Sequence, residues 1–182
     1  MKQNFSAKQL ALIGMFAAVA VVTSLISVPM PSGVAITLQT FGMALIGYLL
    51  GPAGVWSVFI WVLLGAVGLP VFSGMRGGFE VLAGPTGGFI LGFPFMVLLC
   101  GLSRRQPVFP LAVLSGLLGL LVLHLFGILH YARLNGLNFW ASALVMSIPY
   151  LFKDVASVIA ACLVAKTLRR RLPAEVFVSG RP

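Results

Sequence analysis

Lys153 and Asp154 stand side by side inside an otherwise apolar run, IPYLFKDVASVIAACL. An ionisable residue inside a membrane-length helix costs at least ~2.5–3.5 kcal/mol on insertion scales, so it ordinarily faces a cavity or a partner. Successive helical residues point about 100° apart, so this pair is not expected to satisfy itself. One reading is a structural ion pair with Arg76 or Glu80, which lie upstream. The other is a ligand contact, with the carboxylate accepting from a donor and the ammonium meeting an anion. Tyr150 precedes Asp154 by one helical turn and is expected to line the same space.

Arg76 and Glu80 belong to LPVFSGMRGGFEVLAGPTGGFILG, residues 69–92, in which seven of 24 positions are glycine and two are proline. Glycine contributes no packing; it contributes backbone N–H and C=O groups, positive φ and close approach. The stretch reads either as a long connection between membrane helices or as a lid or binding loop, with Arg76 supplying charge for an anionic group. Phe72, Phe79 and Phe89 argue against disorder. Gly78 and Thr86 are the backbone-permissive and hydroxyl members of the binding set expected here. Upstream, Gln39-Thr40 preceded by Thr37 reads as a helix start capped by Thr37, or as an amide offered to an outer cavity.

The elements that must position these groups follow from composition. Of 182 residues, 60% are hydrophobic and 8% charged, with a mean hydropathy of +1.10. A water-soluble domain carries about 25% charged residues, so the solvent of this chain is lipid. The expectation is an all-α integral membrane protein forming one domain over 1–182, with spans near 9–28, 36–50, 55–68, 87–102, 108–130 and 139–168. Pro29 and Pro31 end the first span, and Gly51-Pro52-Ala53-Gly54 turns the chain between the second and third. Those two are short, so they tilt, bend or sit partly within protein. The first apolar run is read as a span and not as a cleaved signal.

The net charge of +9 does not indicate nucleic acid here, because the cations sit at the ends of apolar runs. Lys2, Lys8, Arg104, Arg105, Lys166, Arg169, Arg170, Arg171 and Arg181 fall on one face of a six-span arrangement. Arg76 and Arg133 fall on the other, and Lys153 lies within the last span. Loops rich in Lys and Arg stay cytoplasmic. Both termini are therefore expected in the cytoplasm and the glycine-rich loop outside, as a lid.

Ala7, Ala11, Gly14 and Ala18 form a small-residue stripe on the first helix. It serves close helix packing within the chain, the more common case, or against another protein. Cys100 and Cys162 read as small core residues, and His124 as a bonded interior histidine. His124 and His130 have no ligand cluster beside them for a metal, and no cofactor is expected. Pro85-Thr86-Gly87-Gly88 lacks the Gly-Lys-Ser/Thr ending of a phosphate loop. No Ser/His/Asp set can be placed on one face, so an enzyme is not expected.

LQTFGMALIGYLLGP (38–52), GLPVFSG (68–74), LAGPTGGFILGF (82–93) and PYLFKD (149–154) resemble the BioY family, the biotin-binding S components of energy-coupling-factor (ECF) vitamin transporters. The resemblance covers most of residues 9–168. It implies six membrane helices with a vitamin site near the outer face, closed by loops. It implies that Gly14 and Ala18, within the stripe, dock a transmembrane coupling subunit driven by a pair of ABC ATPases, a requirement that not every member shares. It also implies biotin as ligand, in the cell membrane of a prokaryote. Asp154 would accept from the ureido N–H groups, Lys153 or Arg76 would take the carboxylate or carbonyl, and Phe72, Phe79 and Tyr150 would cover the rings. The family pattern often places a lysine three residues after the aspartate; Ser157 stands there in this chain. The alternatives are an S component for another small vitamin, or a non-transport membrane enzyme or assembly factor.

Overall fold

The computed structural model describes residues 6–31, 33–103 and 108–171; the charges at Lys2, Arg104, Arg105 and Arg181 lie outside them. The described chain is mostly helical. It runs α1 (Ala7–Leu25), β1 (Ser27–Val28), β2 (Ile36–Thr37), α2 (Gln39–Leu50), a 3-10 turn (Gly51–Ala53), α3 (Gly54–Ala66), α4 (Phe79–Ala83), α5 (Gly87–Leu102), α6 (Phe109–Asn135), α7 (Phe139–Met146) and α8 (Ile148–Arg171). Among the described residues, four helical stretches are long and apolar enough to cross a membrane: Ala7–Leu25, Gln39–Ala66, Phe109–Asn135 and Ile148–Arg171. Gly87–Leu102 is apolar but shorter.

Local chemistry explains the boundaries. Helix α1 opens on a capping box: the Ser6 hydroxyl accepts from the Gln9 N–H at 3.3 Å, and the Gln9 side chain accepts from the Ser6 N–H at 2.7 Å. This satisfies two donors that a helix start leaves open. The chain turns extended at Ile26, ahead of Pro29 and Pro31. The expected plain connection around 33–37 is instead half of a small antiparallel hairpin, with Ser27 opposite Thr37 and Val28 opposite Ile36. The expected last span, 139–168, is two helices. Pro149 has no N–H to continue the ladder, and the backbone breaks at Ser147 (φ −120°, ψ −57°).

Helix α2 is enclosed by protein, with 11 of its 12 residues buried, so its short length is matched by neighbours and not by lipid. It packs mainly against α8 and α5, and α5 packs in turn along α6. The α5–α6 contact is close because Gly88 lies against the Phe126 carbonyl and Gly127, where a Cβ would collide with backbone. Cys100 and Cys162 are free, buried and part of the same core as Met43, Trp61 and Phe93. The small-residue stripe turns the other way. Ala7, Ala11, Gly14 and Ala18 are all exposed, and nothing lies within 4 Å of a Cβ built on Gly14. The core-facing side of α1 is Ile13, Phe16, Ala17 and Ala20, so the expectation of internal packing through the stripe does not hold.

Candidate binding cavity

One cavity gathers the start of α2, the later turns of α3, the first turns of α5 and the first turns of α8. Because Gln39 and Trp61 both line it, the chain must fold back at Gly51–Ala53. It holds about 600 Å³ of atom-free space, counting the open solvent at its mouth. Trp61, Phe72, Phe89 and Phe93 make an aromatic wall, and the polar groups converge from α2 and α8. This pairing of apolar walls with a few placed polar groups suits a ligand with rings and a polar edge.

The charged centre is Asp154, which is 4% exposed. Its Oδ2 lies 3.3 Å from His124 Nε2, and its Oδ1 meets Lys153 Nζ. Neither contact has the alignment of a strong hydrogen bond, so the attraction is chiefly electrostatic. The expectation that adjacent Lys153 and Asp154 would not meet is therefore corrected. The long lysine stem bends back across the angle that separates the two Cβ vectors. Lys153 Nζ also donates to the Thr37 carbonyl at 3.0 Å, and Tyr150 Oη donates to the Val34 carbonyl at 2.5 Å. Both bonds tie α8 to the hairpin that roofs the cavity. Neither Arg76 nor Glu80 pairs with Asp154; the partner missed in the sequence is His124, thirty residues upstream on α6.

The Ser/His/Asp set judged absent from the sequence is present in space. Ser147 Oγ lies 2.9 Å from His124 Nδ1, and the other ring nitrogen faces Asp154. The three residues come from two sides of the α7–α8 break and from α6, so no single helical face reveals them. Asp154 lines the cavity while Ser147 lies outside its wall. The hydroxyl is thus on the wrong end of the relay for a nucleophile acting on a ligand there.

The glycine-rich stretch is ordered. Phe72 and Arg76 exchange backbone hydrogen bonds of 2.9 and 3.3 Å across a tight turn through Gly74 and Met75, both at positive φ. Gly74 N–H donates to Ser27 Oγ at 3.2 Å, fastening the turn to β1. The Phe72 ring sits directly on Gly65 and meets Trp61 edge-on, with centroids 5.0 Å apart. Trp61 Nε1 in turn donates to the Val71 carbonyl at 3.0 Å. The turn is therefore held by its aromatic stem.

Of the residues expected from the sequence, Gln39, Phe72, Arg76, Thr86, Tyr150, Lys153 and Asp154 all line this cavity. Gly78 and Phe79 do not. Gly78 takes φ 99° to start α4 and donates to the Gly65 carbonyl at 2.7 Å. That start turns the following ring outward, leaving Phe79 73% exposed. Arg76 is exposed, its Nε donating to the Ser73 carbonyl at 3.3 Å. Thr37 Oγ1 accepts from the Gln39 N–H at 3.3 Å, as expected of a cap. Gln39 Nε2 is buried without a hydrogen-bond partner among the described residues. Trp61 and Phe93 were missed, while His124 is the bonded interior histidine expected, its ring on Ser147 and Asp154. The signal of the two aromatics in the sequence is one of apolar helix content, which says nothing about which side faces a cavity.

The BioY family model matches residues 1–174. A probable biotin transporter BioY from Pyrococcus horikoshii is 37% identical over 165 residues, covering 90% of this chain and 97% of the relative. The biotin transporter BioY of Thermotoga maritima is 36% identical, covering 90% and 96%, and that of Rhodobacter capsulatus is 32% identical, covering 95% and 99%. The crystal structure of the S-component for biotin from an ECF-type ABC transporter superposes with a TM-score of 0.84 at 25% identity, covering 97% of this chain and 98% of that one. With a family model spanning nearly its whole length and relatives matching end to end, the chain belongs to the BioY family.

Proposed function

We propose that this chain is a biotin-uptake protein of the prokaryotic cell membrane, which binds biotin in the cavity described above as the S component of an ECF-type transporter. The observation that carries the reading is a buried carboxylate and a half-buried ammonium on one wall of an otherwise aromatic cavity. Biotin matches it part by part. Its ureido N–H groups suit Asp154, its fused rings suit Trp61, Phe72 and Tyr150, and its valerate carboxylate suits Lys153 or Arg76. Lys153 has three donors, and the Thr37 carbonyl and Asp154 occupy two, so one remains for ligand. Gln39 and Thr86 lie on the same wall and complete the polar edge.

Six crossings, α1, α2, α3, α5, α6 and α8, place both termini in the cytoplasm as a single membrane domain. The charge distribution supports this: Lys8, Lys166 and Arg169 to Arg171 cluster at the helix ends away from the cavity. Short basic ends of that kind stay inside, which leaves the cavity facing outward. The outward stripe of α1, centred on Gly14 and Ala18, is the surface for the coupling subunit that an ABC ATPase pair drives.

The test is calorimetric titration of the detergent-purified chain with biotin, alongside uptake of labelled biotin by cells with and without the ECF subunits. Binding at micromolar concentration or tighter is expected; no heat and no uptake would sink the reading.

A further inference from the structure

We propose that His124, backed by Ser147, is the positioning residue for Asp154: it engages one carboxylate oxygen and so limits which ligand donors the other can accept. The ligand's identity rests on the biotin reading above; the geometry does not. His124 is 3% exposed and Asp154 4%, so neither can turn to water for an alternative partner.

The proton positions follow from the distances. An ionised carboxylate only accepts, and a neutral imidazole carries one N–H. Two lone pairs facing each other at the 3.3 Å between Nε2 and Oδ2 would repel. In a neutral ring the proton therefore belongs on Nε2. Nδ1 is then an acceptor, and the hydrogen it accepts at 2.9 Å is that of the Ser147 hydroxyl. The helix break places that hydroxyl, because Ser147 ends α7 with its own N–H on the Ala143 carbonyl at 2.9 Å. Phe89 meets the imidazole edge-on, with centroids 5.8 Å apart, and Phe89 is itself part of the cavity wall. The ring cannot swing without moving that wall. Lys153 also reaches the carboxylate, through Oδ1, so a ligand donor must share that oxygen with the ammonium. A cyclic urea, whose two N–H groups diverge, would then place one of them on Asp154 and the other elsewhere.

Biotin affinity measured for wild type, His124→Phe, His124→Gln, Asp154→Asn and the His124→Phe/Asp154→Asn double variant tests this. Loss of a supporting partner typically weakens binding on the order of 10- to 100-fold, which is the expectation for His124→Phe. His124→Gln keeps an N–H near the place of Nε2 and is expected to recover most of that loss. In the Asp154→Asn background, His124→Phe should cost less than about 2-fold more, because coupled residues are not additive. Losses that multiply, with His124→Gln no better than His124→Phe, would mean a packing role and overturn the proposal. Nitrogen-15 NMR of the His124 ring gives a reading that needs no ligand. The Nε2–H tautomer, shifted by Ser147→Ala, is expected; the Nδ1–H tautomer in wild type overturns the proposal. The Nε2–H tautomer in a protein that binds no biotin would sink the biotin reading and leave the positioning role standing.

Discussion

Asp154→Asn changes almost no volume and removes one charge from the centre of the cavity. In the native protein the carboxylate faces His124 Nε2 at 3.3 Å and Lys153 Nζ, and it is 4% exposed. The variant leaves a neutral amide that must offer N–H on one side and C=O on the other, so it cannot accept from imidazole, ammonium and ligand together. Truncating one partner of a buried charged contact costs about 2–5 kcal/mol. The lower part of that range applies, because the Lys153 side chain keeps 29% of its exposure and recovers some hydration. A loss of about 2–3 kcal/mol corresponds to roughly 30- to 160-fold in biotin affinity. The assay is calorimetric titration with a parallel melting curve. Wild-type-like melting with the predicted loss places the effect in binding. An affinity within about 3-fold of wild type would refute the assignment of Asp154 as acceptor, since no buried charged contact is worth so little.

Other perturbations separate the wall from its surroundings. Gln39→Met removes a buried donor without a partner among the described residues; ligand-free stability should rise by about 1–2 kcal/mol while biotin affinity falls, read by melting and titration. Gly65→Ala drives a methyl into the Phe72 ring and should lower stability by about 1–3 kcal/mol in a melting experiment. Phe79→Ala should leave biotin affinity unchanged, because that ring is 73% exposed and off the cavity wall. Gly14→Leu should leave binding by purified protein intact and abolish uptake that depends on the coupling subunit, because the bulk falls on an outward face.

The placement of the cavity was legible because lipid makes charge informative. A Lys-Asp pair in an apolar run and a glycine-rich stretch bearing Arg76 both proved to lie on one cavity. A helix near 87–102 was legible, since a glycine pair opens it and Ser103 ends its apolar run. What the sequence hid has common causes. His124 meets Asp154 across two helices, and periodicity along one helix cannot report a contact between two. The Ser147 break depends on how Pro149 is accommodated, and a proline near a helix start is equally at home continuing the span. Phe79 points away because Gly78 takes a positive φ, a choice that residue type permits without announcing. The outward turn of the α1 stripe was undecidable, because small residues suit any close neighbour.

The two bonds that hold α8 under the hairpin end on backbone carbonyls, those of Val34 and Thr37. Every residue type carries that acceptor. The side chain at 35, which lines the cavity, can therefore change without removing either bond, whereas Val34 also packs on Met146 and Tyr150. Selection or a designer can reshape this part of the wall for a differently shaped guest while the anchoring of the scaffold stays as it is.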